Sequence, residues 1–285
     1  MHVARLAVDL LVRVLPRPLA WRLGRAIYIR ARGDHDNTQL HDQERFLQGW
    51  ALTHLGVGEV FRAVDAGANV GKWTETLMAE AAAQNRAVES HAFEPTPATF
   101  AVLSERIATC VSPRQATAFN VALGKEPGRH RLYLDGDTAG TNSLHASAQA
   151  GVQPSVEVEV LTLDAHLESW GVPRVHLLKI DTEGHDVEVL QGATKALAAG
   201  RIDLVQFEYN FRWVFSRHFL KDVFDLAEAH GYRVGRCLDG EIVFFDGWNP
   251  ELERFFECNL ILMKGSLVTA NALHVGTFNR YQVFS

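Results

Sequence analysis

Residues 64–71 read VDAGANVG, an aspartate between a valine and a turn with the spacing G-x-N-x-G (Gly67, Asn69, Gly71). A strand that ends in such a turn and enters a helix points backbone N–H groups at a ligand. Dinucleotide loops read G-x-G-x-x-G, with glycines where the backbone must approach a pyrophosphate. Here that pattern is incomplete, and Asp65 stands ahead of the first glycine. A carboxylate there repels a pyrophosphate but attracts an ammonium or sulfonium group. Glu94 ends the next apolar run, where an acid can accept both hydroxyls of a ribose. A ligand that combines an amino-acid cation, a small carboxylate and a ribose is S-adenosylmethionine. The bland alternative is a helix-capping turn without a ligand, and Glu94 on the following strand weighs against it.

These residues need a scaffold, and the chain alternates accordingly. Strands are expected at Phe61–Val64, Val88–Phe93, Ala116–Val121, Val175–Ile180 and Leu204–Tyr209. Helices are expected between them at Lys72–Ala83, Pro97–Thr109, Asp164–Trp170, Asp186–Ala199 and Leu220–His230. Arg129–Leu134 and Val156–Val160 read as a hairpin pair, joined by the turn-rich stretch DGDTAGTNSLHAS. The end is rich in strands, at Tyr232–Arg236, Glu241–Phe245 and Asn259–Met263, with a short helix near Glu251–Phe256. Such alternation means an α/β fold with a doubly wound, mainly parallel sheet. Ligands sit at the carboxyl ends of the strands in such sheets. There the chain carries Asp65, Glu94, Asn120, Asp181 and Glu208.

Composition narrows the class. The 285 residues are 47% hydrophobic and 22% charged, enough for a full-sized core. A net charge of -6 argues against a general nucleic-acid binder, which needs a basic surface. Three well-separated cysteines (Cys110, Cys237, Cys258) suit reduced thiols in a cytoplasm better than a disulfide framework or zinc site.

The strings VDAGANVGKW, HAFEPTPATFAVL, FNVALG, LKIDTEGHDVEVLQGA and VQFEYN resemble the FkbM family of S-adenosylmethionine-dependent O-methyltransferases. The resemblance runs from about Ala63 to Gly231 and is most specific in LKIDTEGHD. It implies a class I methyltransferase fold, Rossmann-like, whose seven-stranded sheet closes with an antiparallel C-terminal hairpin. It leaves three parts: a basic helical extension over 1–45, the methyltransferase domain over 46–265, and a tail over 266–285. On that reading Asp65, Gly67, Asn69 and Gly71 hold the methionine end of the cofactor, Glu94 the ribose, and Asn120 the adenine edge. Asp181 faces the methyl-transfer site.

An aliphatic hydroxyl benefits from a base that removes its proton. His185 is best tuned for this near neutral pH, with Asp181 or Glu208 as orienter or alternative base. The competing reading of His185 is a turn-capping histidine at a helix start. A carboxylate pair such as Asp181 and Glu208 also suits magnesium, but no ligand spacing is decisive and the default is no metal. Lys179, inside an apolar strand, needs an acid nearby. The implied acceptor is a hydroxyl of a small molecule or glycan, with Tyr209, Phe211, Trp213 and Trp248 as stacking surfaces or core. The DGDTAGTNSLHAS stretch is placed to form a lid or acceptor wall, with Asp135 and Asp137 as turn residues.

Residues 1–33 hold seven arginines against Asp9 alone, so the segment is +6 and the remainder -12. Val3, Leu6, Leu10 and Val14 recur at helical spacing, which makes an amphipathic helix. It either packs on the domain or lies on the inner face of an anionic membrane. Two other function classes stay open at this point: a dinucleotide-dependent oxidoreductase, and a non-catalytic membrane-peripheral protein that keeps the cofactor fold.

Overall fold

The computed structural model describes all residues except 1, 33–36, 111–114, 137–139, 147–152, 239, 280–283 and 285. Its strands are β1 (Phe61–Ala66), β2 (Val88–Phe93), β3 (Ala116–Phe119), β4 (Ala122–Leu123), β5 (Gly128–Tyr133) and β6 (Ser155–Leu161). They continue with β7 (Val175–Ile180), β8 (Ile202–Tyr209), β9 (Tyr232–Leu238), β10 (Glu241–Phe245), β11 (Cys258–Lys264) and β12 (His274–Gly276). Nine of them form one sheet in the order β12-β10-β9-β11-β8-β7-β1-β2-β3. Strands β3, β2, β1, β7 and β8 run parallel, and β11 lies antiparallel between β8 and β9. Chain order reverses direction at β1, which has β2 on one side and β7 on the other. The switch point therefore lies at the carboxyl end of β1, where residues 65–71 begin.

Helices cover both faces, so the central strands read as continuous apolar runs. All six residues of β7 are buried. Successive residues feed opposite cores: Val64, Leu178 and Val205 face one, and Ala63, Leu177 and Leu204 the other.

Several expectations shift. The sheet has nine strands rather than seven, because β10 and β12 extend the edge beyond β9, and β12 comes from the tail. The third strand stops at Phe119, and Ala122–Leu123 instead pairs with Val160–Leu161 in a second sheet of order β4-β6-β5. The expected hairpin of β5 and β6 is antiparallel as read. The helix expected over 186–199 is two, Asp186–Gln191 and Thr194–Ala198. Gly192 stands at the break, where a Cβ would lie 2.0 Å from the Gly124 carbonyl oxygen. The Asp164 carboxylate then accepts from the Lys195 and Ala196 N–H groups and starts the second helix. Residues 250–252 form only a 3-10 turn, and a further helix, Asn37–His54, precedes β1. Trp213 and Tyr209 are 0% and 1% exposed, so of the two readings left open for them the structure places both in the core. Phe211 is exposed, and Asp137 lies outside the described residues.

Candidate active site

The turn after β1 and the end of β2 are locked together. Asn69, in the left-handed region with φ 50°, donates its N–H to Glu94 Oε2 at 3.0 Å. Thr96 N–H donates to Glu94 Oε1 at 2.8 Å. Each oxygen keeps a further lone pair. Burial raises the Glu94 carboxyl above its ordinary range, and these N–H groups pull it back. The Asn120 amide donates to the Glu94 and Pro95 carbonyls at 2.9 and 3.1 Å, so it pins the backbone that carries Glu94. Asn120 itself is exposed at the end of the third strand.

Gly67, with φ 79°, sits where a Cβ would be 1.9 Å from the Asp181 carbonyl oxygen. Asp181 N–H donates to the Ala66 carbonyl at 2.9 Å, so the rims of β1 and β7 touch. Gly71, with φ 81°, precedes the helix Lys72–Ala83.

Asp65 turns inward. It is 0% exposed, accepts from Thr74 Oγ1 at 2.7 Å, and lies 3.6 Å from Lys179 Nζ. Its carboxylate lines neither cleft, so direct contact with a ligand cation is not the arrangement seen. Lys179 finds the acids its strand position demands: Asp181 Oδ2 is 3.2 Å from Nζ. Burial alone would lower the ammonium pKa, and Asp181, Asp65 and Glu44 more than reverse it.

Two clefts open at this rim. One is lined by Gly67, Glu94, Thr96, Asn142, Leu144 and Glu183, so the loop after β5 walls the cleft that contains Glu94. The other is lined by Glu44, Lys72, Lys179, Glu208, Glu257 and Asn259. Asn69 and Asp181 line both.

Asp181, Glu183 and Glu208 converge, with one carboxylate oxygen of each within 4.8 Å of the others. Glu183 adopts φ 54°, a conformation held by Asp186, whose buried carboxylate accepts from Thr182 and Gly184 N–H at 3.3 and 3.1 Å. Burial, then the Asp181 charge, push the Glu183 carboxyl up to about 7 against the opposing pull of Arg212, whose Nε is 2.8 Å away. Burial and the charges of Asp181 and Glu183 push Glu208 well above the carboxylate range.

His185 stands apart from these acids. Its Nδ1 faces His145 Nε2 at 3.1 Å and Glu188 Oε1 at 3.8 Å. Burial holds it neutral, at about 4, and its ring lines only the cleft that contains Glu94. Glu183 is a site residue that the sequence pattern alone did not single out. Its signal was an acid directly before Gly184, the pattern of a strained turn at a strand end. Thr74 was missed, although it is the polar residue among the buried positions Trp73, Leu77 and Met78 of its helix.

A parallel β3-β2-β1-β7-β8 array closed by antiparallel β11, with a glycine turn after β1 and an acid after β2, is a class I methyltransferase fold. The chain belongs to the FkbM methyltransferase family: residues 65–234 match the Methyltransferase FkbM domain. It is 30% identical over 116 residues to a hexuronic acid methyltransferase, AglP, of Haloferax volcanii, covering 40% of this chain and 45% of that one. It is 32% identical over 146 residues to Methyltransferase 1 of Beauveria bassiana, covering 45% of this chain and 57% of that one. The chain thus spans about half the length of these curated relatives. Similar solved structures include the METTL16 MTase domain, at 8% identity and TM-score 0.43, covering 81% of this chain and 70% of that one. Another is precorrin-6y C5,15-methyltransferase from Geobacter metallireducens, at 10% identity and TM-score 0.38, covering 76% and 87%. The fold class implies S-adenosylmethionine as cofactor. The residues fit it: Glu94 retains acceptor capacity in the cleft, and the Asn69 side-chain oxygen is buried without a partner.

Proposed function

We propose that the chain moves the methyl group of S-adenosylmethionine onto a hydroxyl of a sugar-containing acceptor. The observation that carries this reading is that Asp181 lines both clefts. The cleft containing Glu94 suits the donor, and the cleft containing Glu208 suits the acceptor. Transfer needs the two to meet, and they meet at the end of β7.

The cofactor supplies, when bound, a methyl already activated by its sulfonium. The chain's own part is alignment and proton removal. Glu94 would hold the ribose, while the turn with Gly67, Asn69 and Gly71 would hold the methionine end. Asp65 works from below, through Lys179. Glu208 is the base in this reading, since it lines the acceptor cleft within reach of Asp181 and Glu183, and burial and these acids raise its proton affinity. His185 becomes part of the donor-cleft wall, because its Nδ1 points to His145 and Glu188 rather than to the acids.

Magnesium between Asp181 and Glu208 finds less support. Lys179 already brings a positive charge to Asp181 Oδ2, so we read the lysine as the cation of this cluster. The relative's name, a hexuronic acid methyltransferase, supports a sugar-containing acceptor. The oxidoreductase alternative loses ground to the family match and the missing glycine. A non-catalytic scaffold gives no reason to confine three carboxylates at one rim.

The test is radiolabelled methyl incorporation from S-adenosylmethionine into cell-envelope glycan fractions, with and without EDTA. Incorporation that survives chelation and vanishes in Glu208→Gln supports the reading. Failure of S-adenosylhomocysteine to raise the melting temperature would remove its basis.

A further inference from the structure

The first helices, His2–Val14 and Arg17–Ala31, are parted at Pro16. The second has no buried residue. Leu6, Leu10, Val14, Trp21, Leu23 and Ile27 are between 42% and 73% exposed. An apolar surface of this extent marks an interaction site.

Charge selects the partner. The same two helices carry Arg13, Arg17, Arg22, Arg25 and Arg30. A second copy of the chain would press two positive segments together, which is unfavourable. An anionic bilayer accepts both features, since apolar side chains enter the acyl boundary and arginines meet lipid phosphates. No described helix is long and apolar enough to cross a membrane, so docking would be on the surface.

The end of the second helix is tied to the domain. Arg32 donates from Nη1 to Glu251 Oε2 at 2.8 Å and from Nη2 to the Glu251 carbonyl at 2.7 Å. Arg236 donates to the Arg32 carbonyl at 2.8 Å, and the Arg25 guanidinium lies 4.9 Å from the centroid of the Phe256 ring. The segment they grip leads directly to Glu257, which lines the acceptor cleft beside Glu208. We infer that the two N-terminal helices dock the mouth of the acceptor cleft against an anionic membrane surface. On the methyl-transfer reading above, on which this step rests, the acceptor is a lipid-linked glycan.

Sedimentation of the full chain with vesicles tests the docking. The chain should sediment with phosphatidylcholine vesicles that contain phosphatidylglycerol and stay in solution with phosphatidylcholine alone. Arg13→Gln and Arg22→Gln should each weaken binding about fivefold, and raised salt should act in the same direction. Leu10→Glu combined with Ile27→Glu should abolish it. All variants should keep the rise in melting temperature with S-adenosylhomocysteine. Loss of that response in the wild type as well would strike the methyl-transfer reading and leave the docking result standing. A chain that ignores anionic vesicles overturns the inference. So does a dimer in light scattering that Leu10→Glu with Ile27→Glu splits. Labelled methyl found in the aqueous phase alone, with none in the organic extract, would overturn the lipid-linked acceptor.

Discussion

The Lys179 ammonium lies 3.2 Å from the Asp181 carboxylate, so a buried cation and the acid shared by both clefts sit two residues apart on one strand rim. Residues i and i+2 of a strand face the same side. Lys179 reaches down to Asp65 on the neighbouring strand as well, and the two ion pairs tie the floor of the site to its rim.

Removing the cation should therefore be costly. Lys179→Met leaves Asp65 buried without its counter-charge, and a broken buried pair costs about 3–5 kcal/mol. Urea unfolding of the single variant should show that loss, and Lys179→Met with Asp65→Leu should recover most of it. A single variant as stable as the wild type would mean that the pair contributes nothing to folding.

Glu183 should leave a mark on the pH dependence of stability. Its carboxyl is raised from 4.5 to about 7, so the folded state holds a proton that the unfolded state has released across that window. Stability then falls as pH rises from 4.5 towards 7. In Glu183→Gln that fall should shrink by up to about 3 kcal/mol. Thermal melts across the window read it directly, and a slope identical to wild type would contradict the assignment.

His185 predicts the opposite slope. Burial lowers it from 6.5 to about 4, so its contribution is intact above 6.5 and fades as pH drops towards 4. His185→Leu should lose less stability over that acid range than the wild type does. An unchanged acid transition would show that the ring is not held neutral by the fold.

Turnover should separate the acids from the histidine. Glu208→Gln should lower kcat by about 10²–10⁴ with little change in cofactor affinity. His185→Ala should keep kcat within about tenfold if its part is packing. Steady-state kinetics with labelled methyl donor decide this, and a severe His185→Ala beside a mild Glu208→Gln would return the base role to the histidine.

How much of this was readable beforehand follows from the range of each interaction. The strand-turn-helix of VDAGANVG, the ends of β2 and β7, and the β5–β6 hairpin are written in local pattern, and Lys179 declared its need for acids by standing in an apolar strand. What escaped is set by distant partners. Ala122 and Leu123 leave the main sheet because Val160 and Leu161 pair with them. The room for a glycine alone at 192 is set by the Gly124 carbonyl, and the orientation of His185 by His145, forty residues upstream. Asp65 reads the same from sequence whether its carboxylate faces a ligand or, as here, Thr74 and Lys179. Amphipathicity likewise showed that the first helix has an apolar face, but not that Leu6, Leu10 and Val14 stay exposed.

The central claim is that the cleft holding Glu94 binds an adenosyl amino acid rather than a dinucleotide. Calorimetric titration of the wild type and Glu94→Ala with S-adenosylhomocysteine, and of the wild type with NAD, tests it most directly. The account predicts binding of S-adenosylhomocysteine to the wild type, a loss of about 1–3 kcal/mol in Glu94→Ala, and no heat with NAD. Binding of NAD with none of S-adenosylhomocysteine, or equal affinity in Glu94→Ala with the fold intact, would contradict it.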